Sequence, residues 1–479
     1  MNIAKDSFYM MLGKSFKTFG SLVFTMIISR IFSMNDLGTY KQILMISTLI
    51  FTLIPLGIPT SISYYYSNLD NLKKSKLITN SNFFMLIVGI IVSVFLFLFK
   101  NILSDWLNNK FLYSNIIGLI FYSYSLIISS NIENSYIASG HSSYIGRINV
   151  IYYTIYYVLC GIFILKTNNI NCLFILMGVL EFIRSICLFY KFYKINKLKF
   201  ITDFKFFYHQ FLFCIPLGLS TIIQTINIEL DKLFISYNYT PTQLAIYSNG
   251  AMSIPFVSLI SISVASVILP ILAKKYKNEG FKAVLDIWGN STLVVFSLLS
   301  IVYFSIVYYS NGYISFIFSE KYISSLPIFI IYLIKVPLSC TVFGNILIVI
   351  GKRKLTLYNM ILALLLNCVL NYIFIKCIGF NGPAISSVLI HIILIYLQLK
   401  QISKSTGYKI SNLLPFKRMG IQLFITFIIS LLFYNISKLF NLNSVLNLFI
   451  FGGLNAIFSL IIILYINKKL IIKLEGVIK

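Results

Sequence analysis

The sequence predicts an all-α, polytopic membrane protein of about fourteen transmembrane helices, arranged as two six-helix lobes in parallel repeat plus two C-terminal helices. Three observations predict it. Hydrophobic residues make up 58% of the chain and charged residues 11%, at a mean hydropathy of +0.88, whereas a soluble domain carries roughly 25% charged residues and under half apolar ones. No polar linker divides the 479 residues, although a soluble core of that length splits into domains, so the surplus apolar surface must face lipid. The apolar residues also fall into runs of about 20, enough to cross a bilayer at 1.5 Å per residue. A β-barrel would instead need alternating runs of about ten.

Turn and charge punctuation places the runs in order. The first lobe holds 10–33, 40–66, 78–99, 115–138, 148–166 and 171–191; the second holds 210–237, 244–272, 290–309, 326–350, 355–376 and 383–400; the last pair is 419–436 and 446–466. Several exceed the bilayer's need, which implies tilt or an interfacial extension. The domains expected are therefore an N-terminal lobe 1–199, a C-terminal lobe 200–410, and a helix pair with a tail at 411–479. The stretch 310–325, semi-apolar, is expected to lie at the membrane interface. Lys5, Lys14 and Lys17 lead into the first run with no small-residue cleavage site, so the N-terminus is expected to be retained.

The net charge of +26 does not indicate nucleic acid, because the basic residues cluster in short loops between apolar runs. Lysine and arginine concentrate at 67–77, 191–209, 273–289, 351–355, 400–418 and 467–479. With the N-terminus inside, about 28 fall on the inner side and about 6 on the outer, which sets the topology by the positive-inside rule. Both termini are then expected to be cytoplasmic, in a multi-pass membrane protein.

Two internal echoes share nearly one offset. Asn35-Asp36-Leu37-Gly38-Thr39-Tyr40 parallels Thr242-Gln243-Leu244-Ala245-Ile246-Tyr247, and Asn134 to Gly140 parallels Asn345 to Gly351. The offsets, about 207 and about 211 residues, equal six helices, so the halves share orientation, as in transporters with a site between repeats.

The string Ile28 to Tyr40 followed by Pro55-Leu56-Gly57-Ile58 closely resembles the opening of polysaccharide flippases of the O-antigen, capsule and teichuronic type. These belong to the multidrug/oligosaccharidyl-lipid/polysaccharide exporter superfamily. Pro216-Leu217-Gly218, Asp231-Lys232-Leu233, Tyr247, Pro255, Pro270, Gly351 to Lys354, Asn367, Asn371 and Gly379 to Ala384 extend the resemblance over nearly the whole chain. It implies two lobes around a cavity that opens alternately to either side, a cationic cavity for an undecaprenyl-pyrophosphate-linked glycan, and an apolar groove for the lipid tail on the last two helices. It also implies membrane lipids, a polysaccharide polymerase and glycosyltransferases as partners.

A charge in the bilayer core costs at least about 2.5–3.5 kcal/mol and is a functional candidate by default. Lys335, about nine residues into the tenth run, lies near the midplane, and Pro337 should break that helix and free backbone carbonyls. Lys335 is expected to contact a pyrophosphate or an acidic sugar. Asp231 matches an acidic position of the family, and Glu229 and Lys232 form an i,i+3 pair able to neutralise itself. Glu181 and Arg184 form another. Arg30 lies within a turn of the outer boundary, where the family motif suggests an entrance role. The expected substrate contacts are Lys335, Asp231, Lys232, Arg30 and Arg184; the expected ion-coupling residues are Glu133 and Glu181. Tyr156 and Tyr157, deeper in the fifth run, could stack on sugar rings, although the 33 tyrosines and 43 phenylalanines mostly suit interface belts and lipid-facing surface.

Enzyme chemistry, cofactors and metals are not expected. Gly13-Lys14-Ser15 ends like a phosphate-binding loop, but the motif's first glycine would fall at Phe8 and no strand precedes it. His141, His209 and His391 are far apart and form no catalytic set, and His391 suits a hydrogen-bonded structural role. The seven cysteines include no CxxC pair, which supports neither a disulfide framework nor a zinc site. The function expected is a flippase for lipid-linked oligosaccharide. A multidrug or cation antiporter would need an acidic, aromatic cavity, and a membrane glycan polymerase or ligase would need a large external loop that the sequence lacks.

Overall fold

The computed structural model describes residues 3–340 and 343–478; Thr341 and Val342 of the expected tenth run, and Met1, Asn2 and Lys479 at the ends, lie outside the described residues. Every regular element described is a helix. The chain divides into two compact units, Met1–Ile246 and Tyr247–Lys479.

The N-terminal unit runs α1 (Ile3–Ile31), α2 (Met34–Leu53), α3 (Ile58–Tyr65), α4 (Asn71–Leu98), α5 (Lys100–Trp106), α6 (Lys110–Ser114), α7 (Ile116–Ser129), α8 (Ile132–Ala138), α9 (Ser142–Thr167), α10 (Ile170–Ile195) and α11 (Phe204–Asn238), and ends within α12 (Pro241–Gly250). Short polar side chains start several helices by accepting an otherwise unpaired backbone N–H: Ser33 from Asp36, Asp70 from Lys73, Asn169 from Cys172 and Asp203 from Phe206. α1 lies along α9, and α7 packs between α4 and α10. α11 joins this unit through contacts with α2, α3 and α4. Gly38 of the repeated motif shows why a side chain is excluded there: a Cβ on it would stand 1.9 Å from the Pro241 carbonyl oxygen.

At the head of α11, Asp203 Oδ2 accepts from Lys76 Nζ at 2.8 Å, and the Asn80 amide bonds both backbone groups of Asp203. The Lys76 hydrogen bond, aided by the Phe206 N–H, holds the half-exposed Asp203 carboxyl below its ordinary range.

The C-terminal unit holds α13 (Pro255–Glu279), α14 (Phe281–Val307), α15 (Ser310–Phe318), α16 (Leu326–Leu333), α17 (Lys335–Leu338), α18 (Phe343–Val349), α19 (Arg353–Ile378), α20 (Gly382–Thr406), α21 (Phe416–Ser437), α22 (Ser444–Asn447) and α23 (Gly453–Ile478). The last helix pair docks on α14 through buried polar bonds. Gln422 of α21 accepts from Ser297 of α14 and donates to Asn467 of α23 at 2.7 Å. Asn455 of α23 donates to Ser305 and Ser430 at 3.0 and 2.9 Å.

Ten described helices are long and apolar enough to cross a membrane, or twelve if each of two bent pairs is one span. That makes the chain a polytopic membrane protein, but with fewer such spans than the fourteen expected. Two physical features account for the difference. Arg353–Thr406 counts as one apolar stretch but is α19 and α20 folded against one another, and α1 carries Lys14, Lys17 and Arg30. Several expected single helices are also broken. The run 115–138 divides between α7 and α8, 244–272 between α12 and α13, and 326–350 among α16, α17 and α18. The stretch 310–325 is α15 and a 3₁₀ segment, anchored in its unit by the fully buried Phe318, Tyr322 and Ser325.

Candidate functional site

In the N-terminal unit, three sequence-predicted residues come together in one hydrogen-bonded network. Arg184 and Glu181 lie one turn apart on α10, and the Arg184 Nη1 donates to Glu181 Oε1 at 2.7 Å. Nη2 donates to Asn149 Oδ1 of α9 at 2.7 Å, and the same amide donates to Glu133 Oε1 of α8 at 3.1 Å. The second oxygen of Glu181 accepts from the Tyr152 hydroxyl at 2.7 Å. The guanidinium also stacks over Tyr152 and Tyr153, at 4.6 and 5.4 Å from the ring centroids, a favourable contact for a planar cation. Lys17 of α1 adds a second cation to this set, 5.2 Å from the Tyr153 centroid.

The network is charge-balanced: Lys17 and Arg184 face Glu133 and Glu181. Arg184 and Glu181 are buried, Glu133 is half-buried and Lys17 is exposed, so the two latter side chains are the members open to exchange with the surroundings. Sequence reasoning found Glu133, Glu181 and Arg184 but missed Asn149, which joins α8 to α10, and Lys17, which it read as a flanking charge. The i,i+3 spacing exposes one pair; nothing in the sequence brings α1, α8 and α9 to it. Tyr156 packs with Tyr152 and Tyr157 in the same tyrosine-rich region and is itself buried.

A second cluster lies between α2 and α11. Lys232 Nζ donates to Glu229 Oε2 at 2.8 Å, and Asp231 beside them is buried. Lys41 of α2 is near enough to feel both the Lys232 and the Glu229 charge. One residue on, Gln42 is fully buried and donates to Ser236 Oγ of α11 at 2.7 Å and to the Leu107 carbonyl at 2.9 Å. Asn109 adds amide bonds to Thr39 and Gln42. Arg30, by contrast, is exposed and donates to its own helix's Met26 carbonyl at 2.8 Å.

In the C-terminal unit, Lys335 opens α17. Its ammonium lies 4.9 Å from the Tyr332 ring centroid, and the Tyr332 hydroxyl is 3.2 Å from that of Tyr247. Pro337 lacks the N–H that would bond Leu333, and the helix is interrupted at Ile334, one turn earlier. Ser339 Oγ donates to the Lys335 carbonyl at 2.8 Å, and Ser261 of α13 donates to the Ser339 carbonyl at 2.7 Å. His391 of α20 lies within electrostatic range of Lys335. A cavity of about 40 Å³ beside this break is lined by Ser261, Trp288, Thr292, Cys340 and Asn345; it has room for a water or two rather than a sugar.

Broken apolar helices, intramembrane ion pairs and a cation at a helix break define a transporter-class membrane protein. The chain matches the family described as "Polysaccharide biosynthesis protein" over residues 3–276, and it belongs to that family. No curated protein sequence matches it. Its fold is similar to that of the solved structure "Lipid II flippase MurJ, inward closed conformation", at TM-score 0.78 and 15% identity, covering 96% of this chain and 99% of that one. It is also similar to an inward-facing multidrug resistance MATE transporter of the MOP superfamily, at TM-score 0.63 and 14% identity, covering 82% and 96%. A third similar structure is a MOP superfamily transporter from Pyrococcus furiosus with reversed binding-pocket polarity, at TM-score 0.55 and 14% identity, covering 84% and 96%. The fold is thus that of the MOP-superfamily flippases and transporters.

Proposed function

We propose that this protein is a flippase that moves an undecaprenyl-pyrophosphate-linked oligosaccharide from the inner to the outer leaflet of a bacterial cytoplasmic membrane, by alternating access, for surface polysaccharide synthesis. The observation that carries this reading is membership of the polysaccharide biosynthesis family over residues 3–276. The coverage of the fold matches supports it against a multidrug antiporter. The flippase structure covers 96% of this chain and the multidrug structures 82–85%, a shortfall about the size of the C-terminal helix pair. That pair is bonded into its unit through Gln422, Asn455 and Asn467.

In this reading both termini are cytoplasmic. Lys335, held at a helix break, offers its cation to the pyrophosphate or an acidic sugar. A charge in such a low-dielectric setting attracts an anion far more strongly than one in water. Arg30, Asp231 and Lys232 contribute further contacts along the path. Glu133 and Glu181 serve ion coupling, and Arg184 acts through them as their shared counter-charge.

The test is complementation of a gene deletion. The deletion strain is expected to accumulate lipid-linked glycan on the inner leaflet. Wild type and Lys335→Arg should restore export, whereas Lys335→Ala should leave at least a tenfold deficit, equivalent to about 1.4 kcal/mol of lost transition-state stabilisation. Unchanged surface glycan combined with new drug sensitivity would replace this reading with the antiporter.

A further inference from the structure

Two bent helices of the N-terminal unit meet at their bends. α2 and α3 form a pair bent by 42°, and the two halves of α11, Phe204–Pro216 and Gly218–Asn238, are bent by 45°. The causes are local. Leu56 and Gly57 take left-handed backbone angles, with φ of 46° and 80°, which end α2 and restart the chain as α3. Pro216 deprives the Leu212 carbonyl of its helical partner in α11.

The bends touch backbone to backbone. A Cβ on Gly57 would lie 2.6 Å from the Gly218 nitrogen and 2.8 Å from the Cys214 carbonyl oxygen. One on Gly218 would lie 2.4 Å from the Leu56 carbonyl carbon and 2.8 Å from the Gly57 nitrogen. Neither glycine can gain a methyl group without moving the opposing main chain, because no flexible side chain stands between them.

Each half of one bent helix is bonded to a different partner. The first half of α11 is tied to α3 and α4. There the buried Gln210 donates to Ser61 Oγ at 3.0 Å and to Ser81 Oγ at 2.8 Å, and Phe207 and Phe211 pack on Phe84. The second half is tied to α2, where Gln42 donates to Ser236, and to the α5–α6 turn, where Asn108 donates to the Tyr237 carbonyl. A change of bend in α11 alone would break the Gln210 bonds or the Gln42 bond and drive Gly218 against Leu56.

We infer that the two bends form one compound hinge, with the Gly57–Gly218 contact as its pivot, so that α2–α3 and α11 bend and straighten together. Such a hinge converts a local rearrangement into concerted motion of two half-helices. The inference does not depend on the transported molecule, and its test needs none.

Spin labels on the full-length protein in lipid nanodiscs read the motion. Ser67, beyond α3, and Tyr208, in the first half of α11, are each paired with Ile151 on α9; all three are exposed. Each label sits about ten residues from its bend, an arm of roughly 15 Å, so complete straightening displaces it by about 10 Å. Pro216→Ala restores the missing N–H of α11 without adding bulk at the contact. It should shift both distance distributions in parallel by several ångströms. Gly218→Ala, which wedges the contact, should also move both; if that variant does not accumulate, Pro216→Ala decides. A shift confined to Tyr208, or no shift at either label, overturns the compound hinge.

Discussion

Replacing Glu181 by leucine strips the Arg184 guanidinium of its counter-ion in a site where the two side chains are only 8% and 6% exposed. Breaking a buried pair from one side costs about 3–5 kcal/mol, because the surviving charge stays desolvated and uncompensated. Arg184→Leu should cost a similar amount, since Glu181 then keeps the Tyr152 hydroxyl as its side-chain hydrogen-bond partner and loses its ion-pair partner. If the two penalties were independent, the double variant would lose about 6–10 kcal/mol. It should instead lose only about 3–4 kcal/mol, mainly from the Tyr152 hydroxyl and the Asn149 Oδ1 left without partners, each costing about 1–3 kcal/mol. The expected coupling is therefore at least about 2 kcal/mol. A double-mutant cycle of SDS-induced unfolding in mixed micelles, followed by far-UV circular dichroism, measures it. Additive penalties, or single-variant losses under about 1 kcal/mol, would refute the reasoning.

Three further outcomes follow from the same geometry. Gly38→Ala should block accumulation of folded protein, because the Pro241 main chain cannot yield the space; normal yield and protease resistance would contradict that. Gln422→Leu strands Asn467 and should loosen α21 and α23 from α14 by about 1–3 kcal/mol, seen as faster hydrogen exchange confined to those helices. The depressed Asp203 carboxyl contributes stability that is complete above the ordinary aspartate value of about 3.9 and is lost as pH falls through its lower folded value. Protection of the first turn of α11, corrected for intrinsic exchange, should therefore drop on acidification below about pH 4 and become pH-independent in Asp203→Asn.

What the sequence made legible is what one helix can encode. Apolar runs of spanning length located the helices, and the Glu181–Arg184 and Glu229–Lys232 pairs followed from i,i+3 spacing, because a helix alone brings such residues together. Pro337 signalled a broken helix for the same local reason. Pro255 carried an equally readable signal, since the residue before a proline avoids helical angles, yet apolarity masked the break between α12 and α13. Asn149 was out of reach. It sits 16 residues from Glu133 and 35 from Arg184, and only the packing of α8, α9 and α10 aligns its amide with both. Lys17 and Lys41 look like flanking charges until the opposing carboxylates are placed. Gly57 and Gly218 read as family motif residues, while the reason for glycine at both lies in a contact 161 residues apart in the chain.

The Arg184-centred charge network and the bends occupy different helices of the N-terminal unit, and the physics favours that separation. The Lys17–Glu133–Asn149–Arg184–Glu181 network is held by α1, α8, α9 and α10, and the long members α1, α9 and α10 carry no break. Its hydrogen bonds of 2.7–3.1 Å weaken steeply with misalignment, and a buried ion pair that is pulled apart loses more than it gained by forming. Such a network suits helices that keep their geometry. The bends fall instead in α2–α3 and α11, where the pivot is glycine backbone and the attachments are neutral amide and hydroxyl bonds to Gln42 and Gln210. A neutral bond that opens costs far less than an exposed buried charge, so these helices can change shape at tolerable cost. The Lys41, Glu229 and Lys232 cluster stands on the bending helices, and it is the group whose charges would be rearranged when the hinge moves. Substrate charge acting on the hinge should therefore act through Glu229 and Lys232, leaving ion coupling to Glu133 and Glu181 on the unbent helices. Glu229→Gln should alter the Ser67 and Tyr208 distance distributions, while Glu181→Gln should leave both in place; the reverse pattern would put the moving charges in the α9–α10 network.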